Sequence, residues 1–374
     1  MTAHARLSAS SAHKWLSCSG SIQAENGIVE KPSKFAAEGS AAHELGELCL
    51  INNRSAMSYI DHKLPETEWI VTSEMAVYIQ EYVDYYDKFI GTRFIEQRVD
   101  FSAWVKDGFG TSDGIVVEGY TLHIIDLKYG AGIRVDADDN PQAKLYALGA
   151  LSDYGFLYDI KTVTCHIHQP RLDHISVWST TPEALYIWGE YVRERALLCD
   201  LPDPTRSASE KACLWCKFKP LCPELMQLTQ KALMSDFDDA TIAPKSPDKL
   251  SIRDLRFALD NKKLIISWLD AIEDLAFERL TNGEAFDGYK LVVGRSNRSW
   301  EDEKAAEHVL SEELGEKTYM PQKMITPPMA EKLLGKKKAA LLNGLINKSQ
   351  GKPTMVNQSD NRPEIVSGDI SDFD

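Results

Sequence analysis

Gly110-Thr-Ser-Asp113-Gly114 and Ile124-Ile-Asp126-Leu-Lys128-Tyr-Gly130 are the two stretches on which the reading of this chain turns. An acidic residue ends one short strand, and about a dozen residues later an apolar strand delivers an aspartate and a lysine two positions apart. Residues i and i+2 of a strand share a face, so Asp126 and Lys128 point the same way, and toward Asp113 if the two strands pair as a hairpin. That geometry makes a site for a hard cation with an ammonium beside it. Oxygen donors of this kind hold Mg²⁺ at roughly 2.0–2.1 Å and leave positions open for water and phosphate. Phosphodiester hydrolysis needs the combination, with the lysine orienting or deprotonating the attacking water, or stabilising charge on the phosphate. A solvated surface hairpin also carries D-x-K, so the pattern gains its weight from its surroundings.

Outward from the hairpin, Arg93–Asp100 alternates as a strand, Gly108–Val117 and Thr121–Tyr129 are β-rich, and Val163–Gln169 pairs with His174–Thr180. Between them sits one well-signalled helix: Asn140 is an N-cap, Pro141 suits the first helical position, and Gln142–Leu151 follows with helix formers. Strand, strand, helix, strand predicts an α/β fold with a mixed central sheet flanked by helices. Upstream, residues 34–50 read as a helix that places His43 and Glu47 on one face, and a second helix is expected over about 66–91. A Pro-containing acidic stretch at 236–250 reads as a linker. Beyond it come a 251–350 extension, mainly helical, and a polar tail at 351–374. The extension opens with an amphipathic helix, 251–282, carrying Leu255, Leu259, Ile266, Leu269 and Ile272 near helical spacing.

A chain of 374 residues with 43% apolar content can bury one large core or two ordinary ones. No run approaches the length of a membrane span and the first residues lack a secretory signal, so a cytoplasmic protein without a membrane partner is expected. The net charge of −14 argues against nucleic acid, although carboxylates clustered round a cation and basic segments at Lys211–Lys219 and Lys336–Lys338 weaken that objection. Cysteine usage is more pointed. Seven cysteines do not suggest a disulfide framework, and Cys213-Leu-Trp-Cys216-Lys-Phe-Lys-Pro-Leu-Cys222 has ligand spacing but supplies three thiolates where a tetrahedral or cubane site takes four.

These motifs together resemble the RecB-like branch of the PD-(D/E)XK nucleases, the group that includes the AddB nuclease domain. Gly39-Ser-Ala-Ala-His43 is similar to the helix that supplies a histidine ligand, Asp113 to the first acid, Asp126-Leu-Lys128 to the D-x-K, and Gln142-Ala-Lys-Leu-Tyr146 to the Q-x-x-x-Y helix, in the family's order. The resemblance implies a restriction-endonuclease-like core at 1–235 and Mg²⁺ or Mn²⁺ held by His43, Asp113 and Asp126. Glu96 is then an accessory acid, with Glu47 a competing carboxylate. It further implies Lys128 as catalytic base or stabiliser, Gln142 and Tyr146 positioning the substrate backbone, and Cys18 joining Cys213, Cys216 and Cys222 round a 4Fe–4S cluster. Structural Zn²⁺ is the alternative that thiolate spacing leaves open. Nearly the whole chain also resembles a phage- and prophage-encoded family of DUF2800 type.

The function expected is a metal-dependent DNA exonuclease that processes single-stranded or duplex ends in phage recombination or replication. Its partner would be an annealing or single-strand-binding protein, and an oligomer is compatible with the sequence. A non-catalytic DNA-binding or assembly module and a structure-selective endonuclease are the alternatives. Two further patterns are set aside. Gly110-Thr-Ser112-Asp-Gly114 fits a hydrolase G-x-S-x-G but runs on into strands, and His166 and His168, near His174, alternate as surface residues of a strand would. Arg171, in Gln169-Pro-Arg171, stands beside the sheet as a phosphate contact.

Overall fold

The computed structural model describes residues 5–28, 34–234, 251–284 and 288–289. In chain order they form α1 (Ala12–Ser17), α2 (Ser21–Ala24), α3 (Lys34–Asn52), α4 (Ser73–Tyr86), β1 (Thr92–Asp100), β2 (Phe109–Glu118), β3 (Thr121–Leu127), α5 (Pro141–Tyr154), β4 (Thr162–Gln169), β5 (His174–Thr180), α6 (Pro182–Cys199), α7 (Glu210–Cys213), α8 (Pro223–Met234) and α9 (Ile252–Thr281). The linker expected at 236–250, the 251–350 extension from residue 290 on, with Lys336–Lys338, and the tail at 351–374 lie outside the described residues. By internal contacts the first compact unit runs Met1–Leu291 and takes in α9. None of the described helices is long and apolar enough to cross a membrane.

The strands form one five-stranded sheet in the order β1-β2-β3-β4-β5. Every neighbouring pair is antiparallel except β3 and β4, which run parallel because α5 carries the chain across between them. The fold is therefore the mixed α/β sheet flanked by helices that the element order predicts. Asn140 caps α5 as expected, its side-chain oxygen accepting from the Gln142 and Ala143 N–H groups, a contact worth about 1 kcal/mol. One face of the sheet presents Val99, Ile115, Ile124 and Val163 to α5, and the other presents Val116, Ile125 and Leu127 to α3 and α4.

Three expectations need correction. The helix expected at 66–91 is only Ser73–Tyr86, capped by Thr72. The N–H groups of Glu66 and Thr67 are taken by the Glu44 carboxylate, and Lys63 bridges Ile70, so the chain before Thr72 is held as a turn. Second, Leu255, Leu259, Ile266 and Leu269 are exposed on α9, whose inward residues are Leu264 and Trp268. Third, His166 and His168 are buried. Because α4 covers that face of the sheet, alternation on β4 does not mean solvent. His166 Nδ1 lies 2.8 Å from the Tyr85 hydroxyl and its Nε2 3.0 Å from His123 Nδ1, while His168 stacks on Tyr82.

Burial, with His123 beside it, pushes His166 down to about 3 from an ordinary 6.5, and burial lowers His123 as well. The unfolded chain therefore takes up protons below pH 6.5 that the folded one refuses. The stability that neutral His166 contributes is complete above that pH and lost as the pH falls toward 3. The thermal midpoint is expected to fall between about pH 7 and pH 5, and His166→Gln to flatten that slope in a melting series. An unchanged slope would show that the cluster does not govern acid stability.

Candidate metal centre

Strand register brings the acidic residues together. The pairs Ile95↔Gly114 and Gln97↔Ser112 place Glu96 of β1 opposite Asp113 of β2, and Gly114↔Ile125 places Asp113 next to Asp126 of β3. Three carboxylates thus stand in a row across three strands. Glu96 has φ +44° in mid-strand, a left-handed conformation that costs energy in a non-glycine residue and is found most often at functional sites. From α3, His43 Nδ1 reaches within 3.2 Å of Asp113 Oδ1, while Asp113 Oδ2 accepts the Leu127 N–H at 2.7 Å. His43, Glu96 and Asp113 each offer a ligand atom, all within 4.8 Å of one another. Asp126 stands beside that set, its carboxylate turned to Lys128.

The electrostatics express crowded acids. Burial and the neighbouring Asp113 push Glu96 up to about 7, and burial followed by Asp113 raises Asp126 despite Lys128. Asp113 is lowered: its burial works the other way, but His43, Lys128 and the Leu127 N–H outweigh it. Burial depresses His43, yet Asp113 and Asp126 carry it up to about 9. A divalent cation among these groups would replace the repulsion of Glu96 and Asp113 by attraction, and the imidazole and carboxylates are a donor set that Mg²⁺ or Mn²⁺ accepts.

Lys128 completes the row. Its ammonium lies 2.8 Å from Asp126 Oδ2 and donates to Gln142 Oε1 at 3.0 Å, and the Gln142 amide donates to the Tyr146 hydroxyl at 3.2 Å. All four residues predicted from the D-x-K and Q-x-x-x-Y motifs are therefore linked in one chain of polar contacts. Residues 133–137, on the connection from Lys128 to α5, are fixed by Gln169, which accepts from Val135 N–H and donates to the Ile133 carbonyl, and by Ser176, which accepts from Ala137 N–H. Arg171 pairs with Glu38 and lies over the Tyr129 ring. Ser112 is fully buried in β2, which runs on as a strand rather than into a helix.

Beside the His43–Glu96–Asp113 set opens a cavity of about 470 Å³ whose walls include Glu44, Glu47, Glu66 and Thr67. Burial, with Glu66 and Glu44 nearby, raises Glu47. Glu44 is the residue that sequence reading missed: it anchors the 66–67 turn, and no spacing in α3 separates it from an ordinary surface glutamate. The glycines of Gly110-Thr-Ser-Asp-Gly114 carry a stronger signal. A Cβ at Gly114 would come within 2.3 Å of the Tyr86 ring and one at Gly110 within 2.7 Å of Tyr146.

The cysteines gather at the other end of the core. Cys18, Cys213 and Cys222 share an apolar cluster with Leu225 and Leu264, Cys18 Sγ accepts the Ser207 N–H at 3.3 Å, and Cys216 N–H bonds the Cys213 carbonyl. The segment after Cys18 is tied to the chain after α6, with Gly20 N–H and Ser19 Oγ both donating to the Thr205 carbonyl. Burial raises the Cys213, Cys216 and Cys222 thiols. Among the described residues no three of these sulfurs lie within 4.8 Å of one another. Cys49, Cys165 and Cys199 are core thiols on the faces of the sheet.

The model of a family described as "Protein of unknown function (DUF2800)" matches residues 4–363. The chain belongs to this family. The match takes in both the carboxylate row and the cysteine cluster, so the two sites lie within one family-defining stretch.

Tyr86 is fully buried, so Gly114→Ala must displace its ring and shift β2 just beside Asp113. Overpacking of this kind costs roughly 1–3 kcal/mol. A lowered melting temperature is expected for Gly114→Ala, and an unchanged one would mean that the ring moves without strain.

Proposed function

We propose that this chain is a metal-dependent DNA nuclease of the PD-(D/E)XK, RecB-like type, acting as an exonuclease on DNA ends in phage recombination or replication. The observation that carries this reading is the row Glu96–Asp113–Asp126 in strand register, with His43 at one side and Lys128 at the other. His43, Asp113 and Asp126, with Glu96 as accessory acid, would hold Mg²⁺ or Mn²⁺. Bound there, the cation supplies Lewis-acid polarisation of a phosphoryl oxygen and neutralises the charge that develops on it.

Lys128 acts as an ammonium. Its burial favours the neutral amine, but Asp126 and Asp113 outweigh burial and raise its pKa, so at neutral pH it is a donor to the scissile phosphate rather than a base. Gln142 fixes the ammonium from the other side, and Tyr146 fixes Gln142. Burial keeps the Tyr146 hydroxyl protonated, leaving it able to donate to a backbone oxygen. Arg171, over the ring of Tyr129 next to Lys128, would exchange its ion pair with Glu38 for a neighbouring phosphate.

Cys18, Cys213, Cys216 and Cys222 would hold a 4Fe–4S cluster, with structural Zn²⁺ as the alternative, a reading supported by Cys18 lying in one packed cluster with Cys213 and Cys222. Its role is structural: it joins the start of the chain to the segment after α6 and closes a loop of nearly 200 residues, which restricts the unfolded chain most when the loop is long. Anaerobically purified protein is expected to be brown and to contain iron and acid-labile sulfide in equal amounts. Cys216→Ser is expected to lower folded yield and iron content together. Stoichiometric zinc in a colourless protein would overturn the assignment.

Digestion of end-labelled linear and of circular DNA, with Mg²⁺, Mn²⁺ or EDTA, tests the activity. Cleavage of linear substrate is expected only with metal, to be abolished in Asp126→Ala, and to fall by roughly a hundred-fold or more in Lys128→Ala with DNA binding retained. Cleavage of circles would make it an endonuclease. Binding without cleavage under every metal would make it an assembly module.

A further inference from the structure

Helix α9 buries only one side of its apolar surface. Over its 30 residues, about 45 Å of helix, Leu264 and Trp268 face the cysteine segment, and Lys219 and Glu210 hold the same side through Ser267 and Lys263. The opposite side exposes Ile252, Leu255, Leu259, Ile266, Leu269 and Phe277, each between 46% and 86% accessible. The first five fall at steps of three, four, seven and three, which are a and d positions of heptads. A seam of this length is a partner surface rather than scattered exposure.

Charge says which partner. The first half of α9 carries Arg253, Arg256, Lys262 and Lys263 against two acids; the second carries Asp270, Glu273, Asp274 and Glu278 against one arginine. The helix is therefore complementary to itself reversed. We propose that the chain forms a homodimer in which α9 pairs antiparallel with α9 of a second copy across a twofold axis. With a positions meeting d positions, Ile266 packs on Leu269 of the other copy, Lys262 meets Glu273, and Leu255 meets Leu280. A parallel pair would instead set Lys262 against Lys262 and Glu273 against Glu273. The contact is isologous, so it closes at two copies. It does not depend on the chain being a nuclease.

Sedimentation equilibrium of the full chain is expected to give twice the 42.0 kDa monomer mass. Ile266→Glu is expected to give monomers with unchanged helical circular dichroism. Lys262→Glu should weaken the dimer at least ten-fold, and Lys262→Glu with Glu273→Lys should restore it to near the parent value. Monomeric parent protein, dimeric Ile266→Glu, or a double variant no tighter than Lys262→Glu would each overturn the proposal.

Discussion

Three carboxylates in register on adjacent strands repel one another, and with Asp126 buried and Glu96 and Asp113 half-buried water screens that repulsion poorly. Much of the surrounding structure compensates for it. Asp113 accepts a backbone N–H from β3 and faces the imidazole of α3; Asp126 has the Lys128 ammonium yet is still raised; Glu96 has no such partner among the described residues and is raised to about 7. The compensation comes from different elements, α3 on one side and β3 with α5 on the other. The position of each element is thereby tied to the charge state of the row. The left-handed backbone at Glu96 belongs to the same balance, since it is strain retained at the one acid left uncompensated.

The scaffold must hold this row against both charge and solvent, and it does so in part by closing α1 onto α6 and the segment after it. Leu16 and Trp15 carbonyls accept from Arg195 and Cys199 of α6, and Glu25 takes both the Lys14 ammonium and the Lys217 N–H. These contacts bring the first turn of the protein onto the segment that carries Cys213, Cys216 and Cys222. A structural group on the four sulfurs would act on the same closure, and α1, whose Ala12, Trp15 and Leu16 pack in the core against the sheet, ties the cysteine cluster to that core.

Local signals were legible in the sequence where one residue type has one use. Asn140-Pro141 starts α5 because a cap and a fixed φ suit no other element so well, and the D-x-K places its two side chains together because strands alternate. Signals that need knowledge of what covers a surface were not. His166 and His168 alternate as surface residues do, and only α4, packed over that face, makes them core. Leu255, Leu259, Ile266 and Leu269 have helical spacing whether they face a core or a second molecule. Glu96 and Asp113 come together through a register that no spacing prints, and the turn at 66–67 depends on Glu44, more than 20 residues earlier.

The chain's negative charge bears on how a nucleic acid could approach. The cavity beside His43 is walled by Glu44, Glu47, Glu66 and Glu96, a potential that draws in cations and turns phosphates away. Lys128 stands instead at the end of β3 and is held from α5 by Gln142, while Arg171 at the end of β4 pairs with Glu38 of α3. On the nuclease reading the two sides have separate tasks: the acidic cavity admits the metal, and the strand is gripped from the side of α5, where Gln142 and Tyr146 already fix the one ammonium. A net charge of −14 is then no obstacle, because binding depends on the field along the path of the backbone and not on the total. Such a protein should bind DNA weakly without its metal and gain most of its grip from the cation, since the carboxylates of Glu96, Asp113 and Asp126 otherwise repel the phosphate.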